Sequence, residues 1–305
     1  MAATRIDPHF QQGPSRLAVA YALDPDVSLQ RVITPTISGS AMHANMDLRP
    51  PSNAAALPGP GDLGSFALLL DIDGTILDMA LTPGSVIVSN SLRSSLEELH
   101  AKCGGALALV SGRLIRDIDN LFAPLRLPAI GGHGAEMRLA GEMVTQVRHA
   151  DAIDDGLRGL VEAVAAADPR VIIEDKATSL AVHYRLAPEL EQMLKTKIAA
   201  IVDRVALQDI EVLHGKAVIE IKSSHFSKGT AVCELMKRLP FAGRKPIFIG
   251  DDSTDVSVFK MLPALGGIGY AVERFMPGAH GTFGSPREVR SWLASLCGRA
   301  GNDWQ

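Results

Sequence analysis

The chain has 305 residues, a net charge of −4, 47% hydrophobic and 21% charged side chains, ordinary proportions for a globular protein of roughly two domains. No dense Lys/Arg cluster offers a footprint for nucleic acid, and no apolar run approaches the ~20 residues of a membrane span. The cysteines Cys103, Cys233 and Cys297 are odd in number and scattered, which fits a reducing, cytoplasmic setting without a disulfide framework or CxxC metal site.

Residues 1–62 are rich in Pro, Ser, Ala and Gly, lack sustained periodicity and end in Leu57-Pro-Gly-Pro-Gly61. They are expected to form a disordered tail. The run Leu17–Leu23 behind Arg16 faintly suggests a signal segment, but Asp24-Pro-Asp26 follows at once, so a leader is not expected.

From Phe66 strand and helix alternate. Phe66–Leu70 reads as a buried strand, Leu92, Leu96 and Leu99 recur at helical spacing, and Gly104-Gly105 stops that helix. A second strand, Ala106–Val110, ends at Ser111-Gly-Arg113, and a helix through Ile115, Ile118 and Phe122 leads to a short strand near Ala129-Ile130. The middle differs. A hairpin around Gly141 (Glu136–Leu139 with Met143–Val147) precedes a helix with Leu157, Leu160, Val161 and Val164. Strands Val171–Glu174 and Leu180–Tyr184, a helix over Pro188–Val205 and a hairpin at Gly215-Lys216 follow. The first pattern then resumes with a helix from Ser227, the strand Pro246–Ile249, a helix from Thr254, a strand near Gly267–Tyr270 and a last helix over Pro286–Leu296. Continuous apolar strands alternating with helices predict a Rossmann-like parallel sheet covered on both faces. The expected organisation is a core of residues 63–135 and 223–305, interrupted by an α/β cap domain of residues 136–222.

The strand Leu68–Leu70 stops at Asp71-Ile-Asp73-Gly-Thr75. Burying charge costs several kcal/mol, so acids at the carboxyl end of a parallel strand mark the crevice where charge is used. This DxDGT segment resembles the first motif of the haloacid dehalogenase phosphohydrolase superfamily. Phosphoryl transfer to a carboxylate needs a nucleophile, a cation, donors for the phosphate oxygens and an acid/base. Asp71 is the candidate nucleophile and Asp73 the candidate acid/base. Ser111, at a strand end before a helix, offers a phosphate-binding hydroxyl, and Lys228 in Ser227-Lys-Gly229 offers a positive charge. Gly250-Asp251-Asp252-Ser-Thr-Asp255 repeats the strand-to-acid device. Carboxylates without His or Cys nearby favour Mg²⁺, expected on Asp71, Asp251 and the Asp73 carbonyl, with Asp252 and Asp255 in support. Singly each fragment reads as an ordinary turn or helix start; together they occur in the superfamily's order.

Gly132-His133-Gly134-Ala-Glu136-Met-Arg138, Val110-Ser-Gly-Arg113 and the long run Ile173-Glu174-Asp175-Lys176-Ala-Thr-Ser179-Leu-Ala-Val-His183-Tyr184-Arg185 resemble the trehalose-6-phosphate phosphatase family. The resemblance runs from about Phe66 to the last helix. It implies hydrolysis of trehalose 6-phosphate, with Glu174, Lys176, Arg185 and Glu220 holding the two glucose units and Gly112 and Arg113 beside the phosphate. Period-two strands agree: Glu174 and Glu220 fall on the face opposite Ile173, Ile219 and Ile221. Two departures stand out. Val256-Ser257 follow the Asp255 motif where the family has acidic residues, and Ala177 stands where glycine is usual. His133 and His183 read as structural, hydrogen-bonded packing residues or as groups that support the site residues. The competing readings are a capped phosphatase for another sugar phosphate, such as sucrose phosphate, and a non-catalytic sugar-phosphate-binding regulator. The expected partner is thus a small molecule, neither nucleic acid nor membrane, and the expected state a monomer.

Overall fold

The computed structural model describes residues 63–79, 86–139, 141–142, 146–147, 153–176, 178–205 and 209–299, with Leu57 and Gly59. The expected tail over 1–62 therefore lies almost wholly outside the described residues, as do the Leu17–Leu23 run and Ala177.

The apolar runs become strands β1 (Phe66–Leu70) and β2 (Leu107–Val110), joined by α1 (Asn90–Lys102). Ser89 caps α1 by accepting from Leu92 N, and Gly104 and Gly105, at φ +54° and +88°, turn the chain out of it; positive φ is costly for any residue with a Cβ. Next come α2 (Ile115–Phe122), β3 (Ala129–Gly131), β4 (Glu136–Arg138) and β5 (Gln146–Val147). Then α3 (Asp155–Ala165), β6 (Ile172–Asp175), β7 (Ser179–His183), α4 (Glu191–Val205), β8 (Ile210–Gly215) and β9 (Val218–Ser223) build a separate small layer. The chain returns through α5 (Lys228–Leu235), β10 (Lys245–Gly250), the one-turn α6 (Val256–Phe259), β11 (Ile268–Val272), β12 (Gly281–Phe283) and α7 (Pro286–Leu296).

The large sheet runs β12-β11-β10-β1-β2-β3-β4-β5, parallel from β12 to β3 and antiparallel beyond. Leu68, Leu69 and Leu70 are fully buried, as are Ile247, Phe248 and Ile249 on β10, each contributing about 1.5–3 kcal/mol over an exposed position. From β1 the chain proceeds outward through β2 on one side, while β10 lies on the other. β1 thus stands at the reversal of strand order, the place where parallel α/β sheets open a binding crevice.

The small sheet, β6-β7-β9-β8, is antiparallel throughout. Ile173, Leu180, Val182, Ile219 and Ile221 form its apolar face and pack with Leu157, Val161, Leu194 and Ile198 of α3 and α4. Glu174, Ala181 and Glu220 stand in register across three strands on the other face, as period-two alternation requires. The fold is thus a mainly parallel α/β core carrying an inserted α/β cap.

One boundary needs correction. The hairpin over 136–147, read as the start of the cap, pairs onto β3 and extends the large sheet. Met137 is buried in the main core, so the core's own apolar surface claims this hairpin, and the described cap elements begin with α3. The helix expected from Thr254 is a single turn of 3-10 helix followed by α6. Among the described residues no helix is long and apolar enough to cross a membrane.

Candidate active site

The carboxyl ends of β1, β2 and β10 converge with the first turn of α5. Asp71 N donates to Ile249 O at 2.9 Å, fixing the acid directly above the strand. Gly74, at φ +81°, turns the chain back so closely that a Cβ there would stand 2.3 Å from Asp251 Oδ2. Only glycine lets this turn meet the β10 loop. Thr75 Oγ1 then bridges Asp71 Oδ2 at 3.1 Å and Asp251 Oδ1 at 3.3 Å.

Lys228 is buried and enters from the start of α5, which Ser227 caps through a reciprocal pair with Thr230. Its Nζ donates to Asp71 Oδ1 at 2.8 Å and to Asp255 Oδ1 at 2.7 Å. Asp255 Oδ2 accepts from the backbone N–H of Asp251 and Asp252 at 2.9 and 3.0 Å. Burial alone would lower the Lys228 pKa, but the Asp255 and Asp71 carboxylates outweigh it and hold the ammonium charged. Asp71 has the opposite balance. Burial pushes its carboxyl well above the usual range, Lys228 opposes, and Asp255 and Asp251 add repulsion. Asp251 is raised by burial and by Asp255. Lys228 serves Asp71 and Asp255, and Lys216 Nζ lies 2.9 Å from Asp251 Oδ2, so two ammonium groups face three acids and negative charge remains in excess.

Asp71, Asp251 and Asp255 can bring one oxygen each within 4.8 Å of one another. All donors are carboxylate oxygens, as a hard divalent cation requires, and the raised Asp71 and Asp251 register the need for added positive charge. The residues fit a metal. Asp255 is fully buried and does not line the cavity; its oxygens hold Lys228 and two backbone N–H groups, so it acts as the scaffold of the loop. Asp71 and Asp251 remain the direct candidates. The ligand atom expected from Asp73 is its backbone carbonyl; its side chain pairs with Arg113, and Asp252 caps the turn by accepting from Ser253 N at 2.6 Å.

Ser111 is buried and lines the same cavity with Gly112 and Arg113. Arg113 holds Asp73 with two parallel bonds, Nε to Oδ2 at 2.6 Å and Nη2 to Oδ1 at 2.7 Å. Glu136 Oε2 accepts from Ile115 N at 2.6 Å, securing the start of α2 directly behind this loop. The departure at Ser257 has a structural reason: its Oγ donates to Thr254 O at 2.7 Å and accepts from Gly229 N at 3.1 Å. A neutral hydroxyl here tethers the residue next to Lys228 to the carboxylate loop.

The cap closes the cavity from above. Glu220 is buried; its Oε1 accepts from Ser179 Oγ at 2.7 Å and Lys176 Nζ at 3.2 Å, and its Oε2 lies 2.5 Å from His133 Nε2. Burial would raise the Glu220 pKa, but His133, Lys176 and Ser179 overcome it and hold the carboxyl well below its usual range. Lys176 also donates to Gly112 O at 3.0 Å, so the cap grips the core loop after β2 directly. Glu174 lies 3.0 Å from His183 Nε2, and that contact lowers its pKa. Arg185 stands just past β7 and donates to Lys216 O at 3.0 Å. Every expected site residue except Asp255 lines one cavity with His133, His183 and Lys216. The two histidines are therefore partners of the cap carboxylates at the cavity wall. His133, at φ +54° between Gly132 and Gly134, carried a signal in those flanking glycines.

A DxDG turn, a serine, a lysine and a carboxylate loop set on adjacent ends of a parallel sheet define a phosphohydrolase of the haloacid dehalogenase superfamily. Residues 69–282 match the family model described as trehalose-phosphatase. The probable trehalose-phosphate phosphatase of Sinorhizobium fredii is 41% identical over 242 residues, covering 77% of this chain and 89% of that protein. The trehalose-6-phosphate phosphatase of Escherichia coli is 36% identical over 234 residues, covering 76% and 86%. The C-terminal domain of C. albicans trehalose-6-phosphate phosphatase shares the fold, with a TM-score of 0.72, 23% identity and coverage of 83% and 99%. The chain belongs to the trehalose-phosphatase family.

Proposed function

We propose that this chain hydrolyses trehalose 6-phosphate to trehalose and phosphate. The observation that carries the reading is the junction of two sets of groups in one cavity. Asp71, Asp73, Ser111 and Lys228 lie on the core side, and Glu174, Lys176, Arg185 and Glu220 on the cap side. Phosphate chemistry needs only the first set. The second offers acceptors and donors for the hydroxyls of a neutral disaccharide.

In this mechanism an Asp71 oxygen attacks phosphorus and the bond to the sugar oxygen breaks, leaving an aspartyl-phosphate. Asp73 gives a proton to the departing sugar oxygen, then takes one from the water that attacks the aspartyl-phosphate and regenerates Asp71. Arg113 places one N–H on each Asp73 oxygen, which orients the carboxyl and leaves a second lone pair on each oxygen for the proton and the sugar oxygen. Lys228 holds the Asp71 carboxylate in place, and the Ser111 hydroxyl and the amides beside it donate to phosphate oxygens. Mg²⁺, held by Asp71 and Asp251, would supply further positive charge to the phosphate. Every group in the scheme comes from one chain, so a monomer suffices.

The test is phosphate release over a panel of trehalose 6-phosphate, sucrose 6-phosphate, glucose 6-phosphate and p-nitrophenyl phosphate, with and without Mg²⁺. The proposal expects trehalose 6-phosphate to lead by a wide margin in kcat/KM, and activity to depend on Mg²⁺. Equal rates across the sugars, or a preference for sucrose 6-phosphate, would overturn the substrate. Undiminished rates in chelator would overturn the metal.

A further inference from the structure

Lys216 joins the cap to the catalytic carboxylates, and none of the roles above uses it. It sits at the tip of the β8–β9 hairpin, where Ala217 takes a φ of +61°. The tip lies flush on the carboxylate loop: a Cβ on Gly215 would stand 2.9 Å from Asp252 Oδ2, and Ser253 Oγ donates to His214 O at 3.2 Å. From there Lys216 Nζ reaches Asp251 Oδ2 and Glu273 Oε2, both at 2.9 Å. Its carbonyl accepts from Arg185 at 3.0 Å, and the Ala217 carbonyl accepts from Tyr184 N at 3.1 Å. One residue thus connects a carboxylate of the proposed cation set to a sugar-facing arginine.

We propose that Lys216 is a latch: its ammonium on Asp251 holds the cap hairpin against the catalytic loop, and a divalent cation on the same carboxylate loosens it. The inference rests on the cation reading above. Asp251 is buried and crowded by Asp255, and either the ammonium or the metal relieves that crowding. Because both claim one carboxylate, each weakens the other's hold by the same factor. The Lys216 side chain is 30% exposed and Glu273 beside it 51% exposed, so the ammonium can leave Asp251 while keeping a partner in water. Loading the cation would then free the hairpin, and with it the wall carrying Arg185, when substrate has to enter.

The test uses the full chain and its Lys216→Met variant, both checked for folding by thermal melts. Mg²⁺ affinity is measured by titration calorimetry, and hydrogen exchange of residues 210–219 is followed with and without Mg²⁺. A partly exposed pair of this kind corresponds to Mg²⁺ binding about two- to fivefold tighter in the variant. In the wild type Mg²⁺ should speed exchange in the hairpin, whereas the variant's hairpin should exchange fast in either condition. Equal or weaker Mg²⁺ binding by the variant, or a wild-type hairpin that Mg²⁺ leaves unchanged or protects, would overturn the latch alone. Absence of Mg²⁺ binding to both proteins would remove the cation reading and the latch with it.

Discussion

Asp71 is discouraged from ionising by its own surroundings. Its pKa is raised by burial and by Asp255 and Asp251. A carboxyl raised on folding contributes full stability below its ordinary value near 3.9 and loses it as pH rises through the folded value. At neutral pH, without a divalent cation, the charged form therefore costs stability. Asp71→Asn should abolish turnover and raise the melting temperature of the metal-free protein at pH 7; retained activity would sink the nucleophile assignment, and a lowered melting temperature the electrostatic one. Glu220 has the opposite sign, its carboxyl held well below the usual range. Its ionisation stabilises above about pH 4.3, and that stability is lost as pH falls through the lower folded value. Glu220→Ala leaves Lys176 buried beside no carboxylate on that side and should cost about 3 kcal/mol at pH 7. Melts across pH should show the gap from wild type narrowing below about pH 4, and a gap independent of pH would contradict the assigned cause. Asp71, Asp73, Lys228 and Asp251 were legible from sequence because acids and a lysine at strand ends and a helix start are anomalies of local pattern. His133 and His183 were legible only as hydrogen-bonded structural or supporting groups; their partners were not, because each is a carboxylate from another strand or from the cap.

Elements deliver these residues to one place. α5 brings Lys228, and its approach to the carboxylate loop depends on Gly229, where a Cβ would stand 2.2 Å from Ser257 O. That contact is with backbone and cannot be relieved by a rotamer change. Gly229→Ala should therefore displace the start of α5, and a shift approaching 1 Å corresponds to a loss on the order of 10²-fold in kcat with KM little changed. Steady-state kinetics check this, and a variant with wild-type kcat would show that Lys228 tolerates the shift. Ser257 works in the same joint through its bonds to Gly229 N and Thr254 O. The parallel strands β1, β2, β3, β10 and β11 and the helix α1 were readable from apolar runs, helical spacing and the Gly104-Gly105 stop; the short β12, with glycine at its start, was not. The destination of the 136–147 hairpin was not: its alternation shows which face is buried, but not which sheet buries it. Met137 packing into the main core settles that in three dimensions.

At the scale of the whole molecule, the proposed function assigns chemistry and selection to different layers. It gives phosphate chemistry to the core's strand ends, while the cap's polar face carries Glu174, His183 and Glu220 over the same cavity. Lys176 on Gly112 O and Lys216 on Asp251 fasten one layer to the other. Asp71→Asn should thus silence all substrates alike, while a cap substitution should act only where there is sugar to hold. The most direct measurement is kcat/KM of wild type and Glu174→Ala on trehalose 6-phosphate and on p-nitrophenyl phosphate, side by side with Mg²⁺. Loss of one charged hydrogen-bonding group to the sugar, worth about 1.5–3 kcal/mol, predicts a fall of roughly 10- to 100-fold on trehalose 6-phosphate and little change on p-nitrophenyl phosphate. An equal fall on both substrates would contradict the division of labour between core and cap.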